Sequence, residues 1–168
     1  MIYIIYLNNT VMQNGGKKLN ILFFITPKIE VEYVYDYYTI RQAMEKMEYH
    51  RYTSIPIINK KGEYVATITE GDLLWKIKSR FEDKQDDINL KSLENIDIKN
   101  IDKYNDYKTV SINSDMENII SLAINQNFIP VVDDQNIFIG IIKRSDIISY
   151  FNDKMNDNQL LNIDNKVS

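Results

Sequence analysis

Apolar positions along this chain fall into blocks that occur twice in the same order. Ile55-Pro56-Ile57-Ile58 lies over Ile129-Pro130-Val131-Val132. The same offset lays Tyr64-Val65-Ala66 over Phe138-Ile139-Gly140, and Gly71-Asp72-Leu73-Leu74 over Ser145-Asp146-Ile147-Ile148. One gapless offset for three blocks marks an internal duplication. Upstream, Thr39-Ile40-Arg41-Gln42 and Ser114-Asp115-Met116-Glu117 each set a hydroxyl three residues before a Gln or Glu, the capping-box spacing that opens a helix. Behind these caps run stripes of helical period: Ile40, Ala43, Met44 and Met47, then Met116, Ile119, Ile120 and Ala123.

The runs Thr53 to Ile58, Tyr64 to Thr69, Phe128 to Val132 and Ile137 to Ile142 are β-branched and nearly unbroken in apolar character, as strands buried on both faces are. Asn59-Lys60-Lys61-Gly62 and Asp133-Asp134-Gln135-Asn136 supply turns between them. Each copy therefore reads helix, strand, turn, strand, helix. The closing helices are expected to bury Leu73, Leu74 and Ile77 in one copy and Ile147, Ile148 and Phe151 in the other. Two copies this small need each other's apolar faces, so they are expected to pack with pseudo-two-fold symmetry.

The stretch from Glu82 to Asp106 is polar, with only Leu93, Ile96 and Ile101 scattered in it, and reads as a partly ordered linker. After Asn152 the apolar period fades and a fraying tail is expected. The chain thus divides into a first repeat with lead-in at 19–81, a linker at 82–106, a second repeat at 107–152 and a flexible tail at 153–168. Residues 1–18 have no counterpart in the second repeat. Gly15-Gly16-Lys17-Lys18 can be encoded by a purine-rich ribosome-binding sequence, and Leu19 by TTG, an alternative bacterial start codon. The segment is expected to be either a non-native leader or a flexible arm carrying the short apolar run Ile2 to Leu7.

Composition narrows the chemistry. Apolar residues make up 44% of the 168, enough to build a core. A net charge of −4, with both signs interspersed, argues against a nucleic-acid partner. Without cysteine there are no disulfides or thiolate metal sites, and a reducing compartment is the natural setting. His50, the sole histidine, cannot by itself build a His-rich zinc site or a Ser-His-Asp triad. No stretch approaches the roughly 20 apolar residues of a membrane span, and no secretory signal is present. A soluble cytoplasmic protein without a metal is expected. No GxSxG, phosphate loop or metal cluster is found, so no enzyme is expected.

The duplicated blocks resemble the CBS (cystathionine-β-synthase-type) domain family. Its pattern of apolar-Pro-apolar-apolar, then small-x-apolar-Thr-x-x-Asp-apolar, is met at Ile55-Pro56-Ile57-Ile58 with Ala66-Thr67-Ile68-Thr69-Glu70-Gly71-Asp72-Leu73. It is met again, with Lys143 in place of Thr, at Ile129-Pro130-Val131-Val132 with Gly140-Ile141-Ile142-Lys143-Arg144-Ser145-Asp146-Ile147. Phe24-Ile25-Thr26-Pro27 looks like the lead-in to a first domain, and the resemblance covers roughly Ile21 to Tyr150. It implies an α/β fold of two CBS-type repeats, each β-α-β-β-α, packed with pseudo-two-fold symmetry. It also implies a homodimer built through exposed apolar helices.

In such pairs adenosine-containing ligands sit in clefts between the copies. The resemblance therefore implies AMP, ADP, ATP or cyclic di-AMP as ligand, no covalent cofactor, and an unidentified effector protein as listener. The ligand-binding candidates are Thr53, Ile55, Pro56, Thr69 and Asp72 in the first copy. In the second they are Ile129, Pro130, Lys143, Arg144 and Asp146. An ionised Asp is an acceptor that can take both hydroxyls of a ribose cis-diol, and a Thr one turn earlier adds a hydroxyl. Lys143 stands where the second copy should have Thr, and it either pairs with Asp146 and spoils that site or points at a phosphate. Each residue also has a plainer reading. Asp72 and Asp146 suit the first turn of any helix, Thr69 is a good N-cap, and the Ile and Pro residues suit a core. The rival to a nucleotide sensor is accordingly a ligand-free interaction or dimerisation scaffold.

Overall fold

A computed structural model describes residues 20–83, 90–101 and 106–167. In chain order the elements are β1 (Ile25–Pro27), β2 (Val34–Tyr35), α1 (Ile40–His50), β3 (Ser54–Ile58), β4 (Tyr64–Thr69) and α2 (Glu70–Asp83). The second half continues with β5 (Val110–Ser111), α3 (Met116–Ala123), β6 (Phe128–Val132), β7 (Phe138–Lys143) and α4 (Arg144–Val167). Setting β1 aside, each half is β-α-β-β-α.

Local chemistry explains most of these boundaries. Thr39 accepts the Gln42 N–H while the Gln42 side chain accepts the Thr39 N–H, so the capping box is complete. The helix it opens buries Ile40, Ala43 and Met47 and stops at Arg51, whose φ of 58° is left-handed. At α3 the N-cap is Asp115, not Ser114, and it makes no side-chain cap bond. The Ser114 N–H is already used by the Ser111 carbonyl, 2.9 Å away. Both hairpins turn in the same way. Asn59 Oδ1 accepts the N–H groups of Lys61 and Glu63, and Asp133 Oδ1 accepts those of Gln135 and Ile137. Gly62 and Asn136 take the left-handed position that follows, at φ 86° and 62°.

The sheets run in the order β2-β3-β4 and β1-β7-β6-β5. In each, a short strand lies parallel to the first hairpin strand, and the hairpin shifts register at the equivalent place, Ile57/Ile58 and Val131/Val132. One core gathers Ile40, Ala43, Met47, Ile55, Ile57, Ile68 and Leu73. The second gathers Met116, Ile119, Ile129, Val131, Ile142 and Ile147. A third, with Ile58, Tyr64, Tyr107, Phe128, Val132 and Phe138, joins the two halves. Across the pseudo-axis the Tyr64 N–H donates to the Asn136 carbonyl and the Phe138 N–H to the Gly62 carbonyl, both at 2.9 Å.

The connecting segments are exchanged. Strand β1, which precedes the first repeat, pairs antiparallel with β7 of the second, and Ile21 and Phe24 enter the second core. Conversely Leu93, Ile96, Ile98 and Ile101, which precede the second repeat, are buried in the first core. There the Ile40 N–H donates to the Ile96 carbonyl at 2.9 Å and the Ile98 N–H to the Tyr38 carbonyl at 2.8 Å. One further feature departs from the sequence reading. Leu74 and Ile148 stand 58% and 61% exposed at matching positions on α2 and α4, leaving Leu73 and Ile147 to fill the cores. The backbone after Asn152 stays helical to Val167, although no apolar stripe directs it. The expectations for residues 1–18 lie outside the described residues.

Candidate functional site

Strand β4 ends at Thr69 and helix α2 starts at Glu70 without an intervening loop. This abrupt change is held by Asp72. Its Oδ2 accepts the Thr69 N–H at 2.8 Å and the Thr69 hydroxyl at 2.7 Å, while Thr69 Oγ1 accepts the Asp72 N–H at 3.2 Å. Asp72 is only 2% exposed and Thr69 is half-buried. Thr53 belongs to the same corner. Its carbonyl accepts the Glu70 N–H at 3.0 Å, and Ser54 next to it pairs with Thr69 in the sheet. The sequence candidates Thr53, Thr69 and Asp72 are thus brought together, with a carboxylate and two hydroxyls at one helix N-terminus.

The second repeat repeats the geometry with different chemistry. The Arg144 N–H donates to the Asn127 carbonyl at 3.0 Å, as Glu70 does to Thr53, and its guanidinium donates to Asn127 Oδ1 at 2.5 Å. Asp146 is half-buried and accepts the Ser145 hydroxyl at 3.1 Å. Lys143 is exposed at the end of β7, and no ion pair joins it to Asp146 among the described residues. The two corners meet at the pseudo-axis, where Asn127 Nδ2 lies 3.4 Å from Thr53 Oγ1. Ile55 and Ile129 are sealed in the two cores, with Pro56 and Pro130 buried beside them.

Three residues of these corners escape the sequence reading: Asn127, Gly71 and Trp75. Trp75 is the only tryptophan, three residues after Asp72, so it shares that helical face; this spacing was the available signal. It is 57% exposed, with the Lys78 ammonium 5.6 Å from its ring centre. An open concavity of about 610 Å³ lies apart from both corners, lined by Lys28, Tyr33, Tyr35, Tyr38 and Lys46 among others. Lys46 there holds the Glu32 carboxyl below its ordinary value through a hydrogen bond, against the opposing effect of burial. Among the described residues no helix is long and apolar enough to cross a membrane.

Known proteins agree with this architecture. No curated protein matches the sequence. Solved structures do. A CBS domain protein from Streptococcus pneumoniae TIGR4 superposes with a TM-score of 0.74 at 19% identity, over 92% of this chain and 97% of that one. The CbpB protein of Listeria monocytogenes in complex with c-di-AMP gives 0.70 at 17% identity, over 82% and 98%. CBSX2 in complex with AMP gives 0.63 at 17% identity, over 83% and 99%. The family profile of the CBS domain matches twice, at residues 25–79 and 98–153, one match for each of the two β-α-β-β-α halves. The chain belongs to the CBS domain family, as a tandem pair.

Proposed function

We propose that this tandem pair is a regulatory module that binds an adenine nucleotide, AMP, ADP, ATP or cyclic di-AMP, at the Thr69–Asp72 corner. The observation that carries the reading is the buried Asp72 carboxylate, set one turn from a hydroxyl at the end of a strand. Binding would exchange the Thr69 hydroxyl on Asp72 for ribose hydroxyls, two from the 2′,3′-diol of AMP, ADP or ATP and one from the free 2′-hydroxyl of cyclic di-AMP. Structural neighbours described in complex with c-di-AMP and with AMP support this choice of ligand class. The output is a change in partner binding or in self-association, and the exposed Leu74 and Ile148 support a homodimer. The protein acts in the cytoplasm and is not itself a catalyst.

The second corner has Lys143 in place of Thr, so one nucleotide per chain is expected in a calorimetric titration. Asp72→Asn keeps the shape and removes the charge. A charge-assisted hydrogen bond is worth about 1.5–3 kcal/mol, so affinity should fall roughly ten- to a hundredfold. Unchanged affinity in a variant that still melts cooperatively would remove Asp72 from the site. A ligand-free scaffold is the second reading, and the mutual satisfaction of Thr69 and Asp72 favours it. A thermal-shift screen in which no adenine nucleotide moves the melting temperature decides for the scaffold.

A further inference from the structure

Gly71 leaves a notch in the wall of this corner. A Cβ built there would sit 3.6 Å from Thr69 Oγ1 and 4.0 Å from the indole nitrogen of Trp75. A hydroxyl and an indole nitrogen therefore flank one small space, and that hydroxyl already touches the Asp72 carboxylate at 2.7 Å. The indole N–H takes no hydrogen-bond acceptor among the described residues, and the ring is more than half exposed. Among the described residues Leu73, not Trp75, fills the core from α2, so burial within the fold does not account for the aromatic side chain here.

We infer that Trp75 is a ligand-contacting residue of the Thr69–Asp72 site, its indole N–H donating through the Gly71 notch to a ribose hydroxyl oxygen. The inference rests on the nucleotide-binding reading and deepens it. The chemistry is complementary. A carboxylate takes the protons of a cis-diol, and the diol's oxygens are left with lone pairs that need donors. Trp is a donor only, so it can serve those lone pairs and accepts none of the diol's protons, which are left to Asp72. The flat ring also covers the sugar from one side, so the contact selects ligands that present free ribose hydroxyls.

The test uses AMP and its 2′,3′-dideoxy analogue with three forms of the full chain. In the wild type, AMP should change the fluorescence of the single tryptophan. Trp75→Phe keeps the ring and loses the donor, and AMP affinity should fall about three- to tenfold, the range of one neutral hydrogen bond. The same variant should bind the dideoxy analogue as the wild type does. Gly71→Ala fills the notch at ordinary contact distances, so it should melt no earlier than the wild type and still bind AMP several-fold more weakly. AMP that binds with an unmoved tryptophan signal and equal affinity in all three forms overturns the inference and leaves the nucleotide site standing. AMP, ADP, ATP and cyclic di-AMP that all fail to bind the wild type overturn the site itself.

Discussion

Gly140 and Ala66 hold the same place in their repeats and have opposite surroundings. A Cβ on Gly140 would lie 2.2 Å from the Thr26 carbonyl oxygen and 3.1 Å from Pro27 Cα, because β1 crosses β7 there. Ala66 is on β4, the outer strand of its sheet, and its methyl group meets no such crossing strand. Glycine at this small-residue place is therefore explained in the second repeat by backbone approach, and alanine in the first by the absence of that approach. Gly140→Ala should destabilise the fold by roughly 1–3 kcal/mol, as overpacking does, and should expose the Ile25 and Thr26 amides to hydrogen exchange. Ala66→Gly should cost at most about 1 kcal/mol, the entropic penalty of glycine in a strand. Chemical denaturation of the two variants compares them directly, and equal losses would refute the explanation.

Helices α1 and α3 are equivalent elements that begin differently. Thr39 closes a full capping box, whereas Asp115 makes no side-chain cap bond. Thr39→Ala should therefore cost about 1 kcal/mol and Asp115→Ala less, which urea melts can resolve; the reverse order would show that the box contributes little. This is also the scale at which the sequence speaks most clearly. The caps, the Asx-headed turns and the buried hairpin strands follow from neighbours within a few residues. The bounds of β4 and β6 agree with the apolar runs, and those of β3 and β7 to one residue. What could not be read locally was the destination of short segments. Ile25–Pro27 is three residues long, and only the shape of β7 gives it a partner. Leu93, Ile96 and Ile101 look too sparse for a core because their neighbours come from α1 and not from their own segment. Leu74 followed the helical apolar pattern of α2 and still faces out, since Leu73 and Ile77 already fill the contact. At the proposed site, Thr69 and Asp72 were singled out through the family resemblance, and the structure brings the two side chains into contact. Gly71 was passed over because a gap has no side chain to notice.

At the scale of the whole molecule, Leu74 and Ile148 lie at equivalent exposed positions on two helices related by the pseudo-axis. Burying such a pair on a second copy removes apolar surface that gains about 25 cal/mol for each Å² withdrawn from water. The double variant Leu74→Glu, Ile148→Glu should shift the mass measured by light scattering from two chains to one, without lowering helix content by circular dichroism; a dimer that survives it uses another face. The exchanged connecting segments act on a different axis, that of time. Ile25 is among the first described residues to leave the ribosome, yet its partner Ile142 is among the last strand residues to follow. The first repeat likewise cannot complete its core until Leu93 to Ile101 have emerged. Neither half can be finished while the other is missing, so closure must come late and all at once. Such distant pairings slow folding. They also leave the nascent strand Ile25–Pro27 without its partner until Gly140 to Ile142 have emerged, a period in which the edge of β7 is not yet there to receive it.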